Sequence, residues 1–321
     1  MSAIIKKWGF PVAIFVILLF FPQLFGILHT NIFLSFAIMA MYAVSLNLLL
    51  GYTGLLSFGH AMFFGMGAYA TTLILSYYEG FPILLSILGG ALAAMLLALI
   101  TAPLLVRVSG TAFAMLTMAF GQLMYVICLK FREVTGGEDG IGGFTIPEFL
   151  GFDMTDSVNF YYFAIVVLCL CVFIMWFFTQ TALGSIMIGI RDNASRVDYL
   201  GFQVAQTKGI VFLISGGFAG VAGSIYALFQ NMVSPDGTLG IFTSFNPIVM
   251  GVVGGVGSFF GPIVGAGILT VLEETVADFT DRIDLINGIF LVIIILYAPT
   301  GIVGLWQKLS LALFKKKEVA K

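Results

Sequence analysis

The chain has 321 residues, 60% of them apolar and 9% charged, with a formal net charge of −2. So little polar surface cannot cover a water-soluble globule of this length, which excludes a soluble enzyme and leaves lipid as the solvent. The expected fold is all-α: a polytopic transmembrane helical bundle of about eight full spans plus a broken or re-entrant pair, roughly eight to ten crossings, in one transmembrane domain over 1–321.

A bilayer core of about 30 Å takes roughly 20 apolar residues per helix. In chain order, spans are expected at 10–28, 32–50, 58–78, 82–106, 111–131, 160–179, 209–230 and 288–308. Lys6 and Lys7 ahead of the first run imitate a signal peptide, but the run passes Phe20 without a small-residue cleavage site, so it reads as a retained helix.

Starting from a cytoplasmic N-terminus, the crossings place 51–57, 107–110, 180–208 and a basic tail, 309–321, inside. The loops 79–81, 132–159, 231–244 and 273–287 then lie outside. All of the 14 Lys and Arg except Lys130, Arg132 and Arg282 fall inside, while all of the 16 acids except Asp192, Asp198 and Glu318 fall outside. This agrees with the positive-inside rule and puts both termini in the cytoplasm of a bacterial or archaeal plasma (inner) membrane.

The same count governs 245–272. A single crossing there would send Lys315, Lys316 and Lys317 outside, so the region must cross an even number of times. Two half-length segments, 245–257 and 261–272, separated by Ser258, Phe259, Phe260, Gly261 and Pro262, satisfy that parity as a re-entrant hairpin or two short helices. Ser57, Phe58, Gly59 and His60 echo this break, as matching interrupted segments do in transporters built from repeated halves.

Four stretches carry the functional expectations. Around Ser57 and His60, small residues permit close helix contact. His60 and Asn47 are polar groups that must face protein or water, either as interhelical hydrogen-bonding residues or as substrate contacts. The internal loop 180–208 reads as one or two short amphipathic helices, with apolar Ile186, Ile188, Ile190, Val197 and Leu200 and charged Arg191, Asp192, Arg196 and Asp198. Such a helix lying on the membrane face can enter the groove of a cytoplasmic motor. The outer stretch from Thr135 to Pro147 carries Glu138 and Asp139 on turn-forming glycines, and is either a docking loop or an ordinary acidic exterior loop. Finally, Ser234, Pro235 and Asp236 lead into Gly254, Gly255 and Ser258, whose density of glycine suits unwound or closely packed backbone beside a pathway.

The chain has no phosphate loop, no H-E-x-x-H motif and no charge at the centre of a long span, so no catalytic residue, bound metal or proton relay is expected. Cys128, Cys169 and Cys171 lack metal-ligand spacing and read as small apolar residues.

Taken in order, these stretches resemble the permease subunits of branched-chain amino-acid ABC importers over roughly residues 35–305. The motifs are Ser57 to Ala61 with Gly67 to Tyr69, Thr135 to Gly137 with Asp139 and Gly140, Gly189 to Asn193 with Leu200 and Gly201, Ser234 to Asp236, and Gly254 to Ser258 with Gly261 and Pro262. The chain departs from the family at Ala194 to Val197, where an acidic and then small residues are usual, and at Leu55, often Gln.

The resemblance implies a type II importer-like bundle that takes branched-chain or related amino acids across the membrane by alternating access. Its partners would be a second, homologous permease, two cytoplasmic ATPase subunits and an extracytoplasmic solute-binding protein, with no nucleic acid. The chain itself would hold no cofactor, ATP and Mg residing on the ATPases. Gly189, Arg191, Asp192, Asn193, Arg196 and Gly201 would form the coupling region; Asn47, Ser57, His60, Gly254, Gly255 and Ser258 are the candidate pathway residues. Related permeases carry urea, short amides or other small solutes; a self-sufficient secondary carrier is the competing class, and a non-transporting scaffold a further one.

Overall fold

The computed structural model describes residues 2–277, 283–298 and 301–305, with side chains for 20–277, 285–298 and 301–305. The expected basic tail, 309–321, lies outside the described residues. In chain order the elements are α1 (Ser2–Thr53), α2 (Ala61–Tyr77), α3 (Ile83–Leu105), α4 (Thr111–Lys130), α5 (Arg132–Thr135), β1 (Ile141–Gly142), α6 (Ser157–Thr179), α7 (Ala182–Tyr199), α8 (Val204–Gln230), β2 (Met232–Val233), α9 (Pro235–Leu239), α10 (Ile241–Gly254), α11 (Gly261–Ala277) and α12 (Ile283–Tyr297). The fold is all-α, and seven helical stretches among the described residues are long and apolar enough to cross a membrane, with α2 a shorter apolar helix.

The first two expected spans, 10–28 and 32–50, form one helical run rather than two helices with a break at 29–31. Inside that stretch Thr30 Oγ1 donates to the Gly26 carbonyl at 2.8 Å, as helix side chains do. The break falls instead at Gly26, whose φ of 77° and ψ of 173° are open to glycine. Phe21 and Phe33 stack 4.7 Å apart, and both lie against Tyr161. A straight helix would separate the two positions by about 18 Å. The chain therefore bends sharply at Gly26 rather than at 29–31.

α2 starts at Ala61 rather than 58 because the connector before it crosses α4 at contact distance. A Cβ on Gly59 would fall on the Thr117 carbonyl, and the Phe58 N–H donates to Thr117 Oγ1 at 3.2 Å. α2 lies inside the molecule, buried on most of its circumference by α3, α8 and α9. Lipid supplies no hydrophobic drive between helices, so contact depends on small residues and polar links. Both are present. Gly67 lies on the Gly220 backbone, Gly223 on the Phe64 backbone, and Thr71 Oγ1 donates to Ser224 Oγ at 2.8 Å.

The outward faces carry the opposite pattern. Leu84, Leu88, Leu92, Leu96 and Leu99 of α3, and Val166, Leu170, Phe173 and Phe177 of α6, recur every three or four residues and are all exposed. A stripe of that kind is a lipid-facing surface, not a soluble one. The chain is a multi-pass membrane protein.

Region 245–272 resolves into α10 and α11, an antiparallel pair joined by the non-helical residues 255–260. Gly254 permits the pair to close, since a Cβ there would strike the Gly261 carbonyl. Its tip sits beside Gly51 and Gly301, both of which meet backbone of residues 254–256. The interrupted segment expected there takes the form of two short helices.

The loops sort to two ends. β1 pairs with β2 antiparallel, Ile141 opposite Val233 and Gly142 opposite Met232, joining the two long segments expected outside. Arg132 and Asp139 form an ion pair at 2.8 Å on that acidic end. At the other, basic end α7 meets residues 51–54.

Candidate functional site

α7 is two helices fused in one run. Asn193 is extended, with φ −162° and ψ 95°, and its Oδ1 accepts the Arg196 N–H at 2.9 Å, an N-cap for the second segment. Gly201, at φ 88°, closes that segment: its N–H donates to the Asp198 carbonyl at 2.9 Å and the Phe202 N–H to that of Val197 at 3.3 Å, the paired bonds of a Schellman stop. Gly189 allows the second segment to fold back, since a Cβ there would lie 3.1 Å from Val197 Cγ2.

Met187, Ile190 and Val197 are buried against the bundle, whereas Ile188 and Leu200 are exposed. The bend at Asn193 restarts the helical phase for the segment that carries Leu200. Tyr199 is 92% exposed and Leu200 70%, beside exposed Asp192 and Arg196. Replacing Asn193 by alanine is expected to cost the second segment about 1 kcal/mol. Hydrogen exchange at 194–199 should then accelerate several-fold while α8 stays protected.

Arg191 ties this element to the bundle. Its Nη1 donates to the Gly51 carbonyl at 2.6 Å, its stem lies over Gly54, and its Nε reaches Asp192 Oδ1 at 3.3 Å. One turn earlier on α1, Asn47 Nδ2 donates to the Ser258 carbonyl at 3.0 Å at the tip between α10 and α11. Gly51 itself faces the Val256 carbonyl. Arg191, Gly51, Asn47, Ser258 and Gly255 thus form one run of contacts from the surface helix to the broken hairpin.

The remaining sequence-derived positions lie deeper. His60 is fully buried, stacked on Tyr42 at 5.5 Å and edge-on to Phe63. Ser45 Oγ donates to the Tyr42 carbonyl at 2.7 Å, so at 3.1 Å from His60 Nε2 it accepts that nitrogen's proton. Ser57 is buried as well, and its Oγ, His60 Nδ1 and Asn47 Oδ1 have no hydrogen-bond partner among the described residues. The structure joins Asn47 to Ser258 and Gly255 to Gly254, while His60 belongs to a separate packing cluster.

Two cavities open elsewhere. One of about 310 Å³ is lined by Asn31, Thr155, Ser157, Gln230 and Asn231 near the acidic end, and an apolar one of about 490 Å³ lies among Leu84, Phe149, Phe152, Phe163 and Val166. Neither is lined by the six pathway residues. Among the described residues no cluster of three His, Cys, Asp or Glu side chains is placed to hold a metal ion.

The family model described as branched-chain amino acid transport system, permease component, matches residues 28–319. The chain belongs to this family. It is 30% identical to the high-affinity branched-chain amino acid transport system permease protein LivM of Escherichia coli (strain K12), over 93% of this chain and 75% of that protein. It is 22% identical both to the probable branched-chain amino acid transport permease protein LivM of Methanocaldococcus jannaschii, over 86% of this chain and 93% of that one, and to the LivH of the same organism, over 85% and 91%. No solved structure matches.

The chain is therefore a permease component of a branched-chain amino acid transport system, a transport subunit. The sequence singles out Arg191 but not its partners Gly51 and Gly54, which read there as two more glycines near the end of α1. Tyr125, whose hydroxyl donates to Asp236 Oδ1 at 2.6 Å, was also missed.

Proposed function

We propose that this permease is the membrane-spanning subunit of an ATP-driven importer of branched-chain or related amino acids, working by alternating access. The reading places the basic end with α7 in the cytoplasm, where two ATPase subunits engage the exposed Asp192, Arg196, Tyr199 and Leu200. A second permease completes the membrane unit, and a solute-binding protein delivers substrate at the acidic end. ATP and Mg would act on the ATPases.

The contact run from Arg191 through Gly51 and Asn47 to Ser258 carries the proposal. A motor that binds α7 can shift the membrane domain only through a mechanical link, and this run connects the exposed helix to the broken hairpin. The two arrangements of such a hairpin would be populated according to what binds each better. The similarity to both LivM and LivH of one organism supports a two-permease assembly.

The test is reconstitution in proteoliposomes with the second permease, both ATPases and the binding protein. Leucine uptake should require ATP and every component. Uptake by the isolated chain without nucleotide would instead establish a self-sufficient carrier.

A further inference from the structure

Several amide side chains within the apolar stretches lack partners among the described residues, two of them on neighbouring elements. Gln122 lies mid-way along α4 and Asn246 inside the apolar stretch Pro235–Gly254; both are at least partly exposed, and neither makes a hydrogen bond among the described residues. An amide in contact with hydrocarbon loses its water without compensation, so intramembrane polar groups face protein or a water-filled space.

The elements that carry them are linked. α4 and the α9–α10 arm are joined at two levels: Tyr125 of α4 hydrogen-bonds Asp236 at 2.6 Å, and Phe58, held to Thr117 of α4, lays its ring on Phe245 at 5.0 Å. Gln122 stands between Thr117 and Tyr125, three residues from the latter and so on its face. Asn246 adjoins Phe245, one turn after Phe242, which is 65% exposed. The outward surface around Gln122 includes Met115, 72% exposed, and Val126, which is apolar apart from the amide.

We infer that Gln122 and Asn246 line a hydrated wall facing the second permease, where their amides hydrogen-bond the polar groups of a passing neutral or zwitterionic solute. An amide serves this use because it both donates and accepts without a fixed charge that would retain one end of a zwitterion. The solute is loosely held, as passage requires. The inference rests on the importer reading for its substrate, but the wetness of the wall does not.

The experiment uses the assembled importer with Cys128, Cys169 and Cys171 replaced by serine, carrying Gln122→Cys, Asn246→Cys or, as a lipid-facing control, Leu170→Cys. A membrane-impermeant maleimide should modify positions 122 and 246 and spare 170. In parallel, the double variant Gln122→Leu, Asn246→Leu should lower uptake about tenfold, two hydrogen bonds' worth, with assembly and basal ATP hydrolysis unchanged. Unlabelled cysteines together with loss of the second permease from the leucine variant would make the wall a dry interface and overturn the inference. Unlabelled cysteines with normal uptake would overturn it as a lipid-facing surface. Absence of ATP-dependent uptake in the unaltered importer would refute the importer reading instead, while labelling would still decide whether the wall is wet.

Discussion

Arg191→Glu is expected to reduce ATP-driven uptake by about one to two orders of magnitude, from loss of one charge-assisted hydrogen bond of about 1.5–3 kcal/mol. The guanidinium donates to the Gly51 carbonyl, and its stem covers Gly54, whose φ of 72° brings the chain beneath it. A glutamate has no proton to donate and sets a negative charge against that carbonyl. α7 would remain on the bundle through Met187, Ile190 and Val197, but would no longer pull on α1. The variant should therefore assemble normally and bind the loaded binding protein with unchanged affinity, while substrate-stimulated ATP hydrolysis falls with uptake. Arg191→Lys, which keeps a donor but not the planar fork, should be intermediate. Full coupled uptake in the glutamate variant would remove this link from the mechanism.

The second large effect concerns two glycines one turn apart on α10. Gly254→Ala should destabilise the permease by about 3 kcal/mol, because the new methyl group meets Gly261 and Gly265 backbone that cannot rotate away. Gly251→Ala should be nearly neutral, since a Cβ there finds nothing within 4 Å. Thermal unfolding in detergent should separate the two variants by many degrees, and equal midpoints would show that the hairpin does not close on Gly254. In the sequence both are members of one glycine-rich run with nothing to rank them.

The contrast between those glycines indicates which features were legible beforehand. Spans 82–106 and 111–131 were located to within a residue or so, because a helix in lipid must satisfy its own backbone and its length follows from the bilayer thickness. The turn of α1 was misplaced by a few residues, since His29, Thr30 and Asn31 look like a polar break while the conformation is decided by the positive φ of Gly26. Leu200 reads as an apolar position of the amphipathic element, and the structure leaves it exposed beyond the bend at Asn193. His60 was named with its two roles open, and the structure encloses it between Phe63, three residues on, and Tyr42, which the packing of α1 brings to it.

Composition and spacing by themselves determined that this chain threads lipid many times and that 180–208 carries an amphipathic helix. Those properties depend on each segment's own free energy of transfer and on where its charges fall, both of which are local. Only the tertiary structure decided that Arg191 reaches Gly51, that Asn47 holds Ser258, and that Tyr125 meets Asp236. Each is a meeting of residues remote in the chain, set by which small side chains let two backbones touch, and no local preference encodes that pairing.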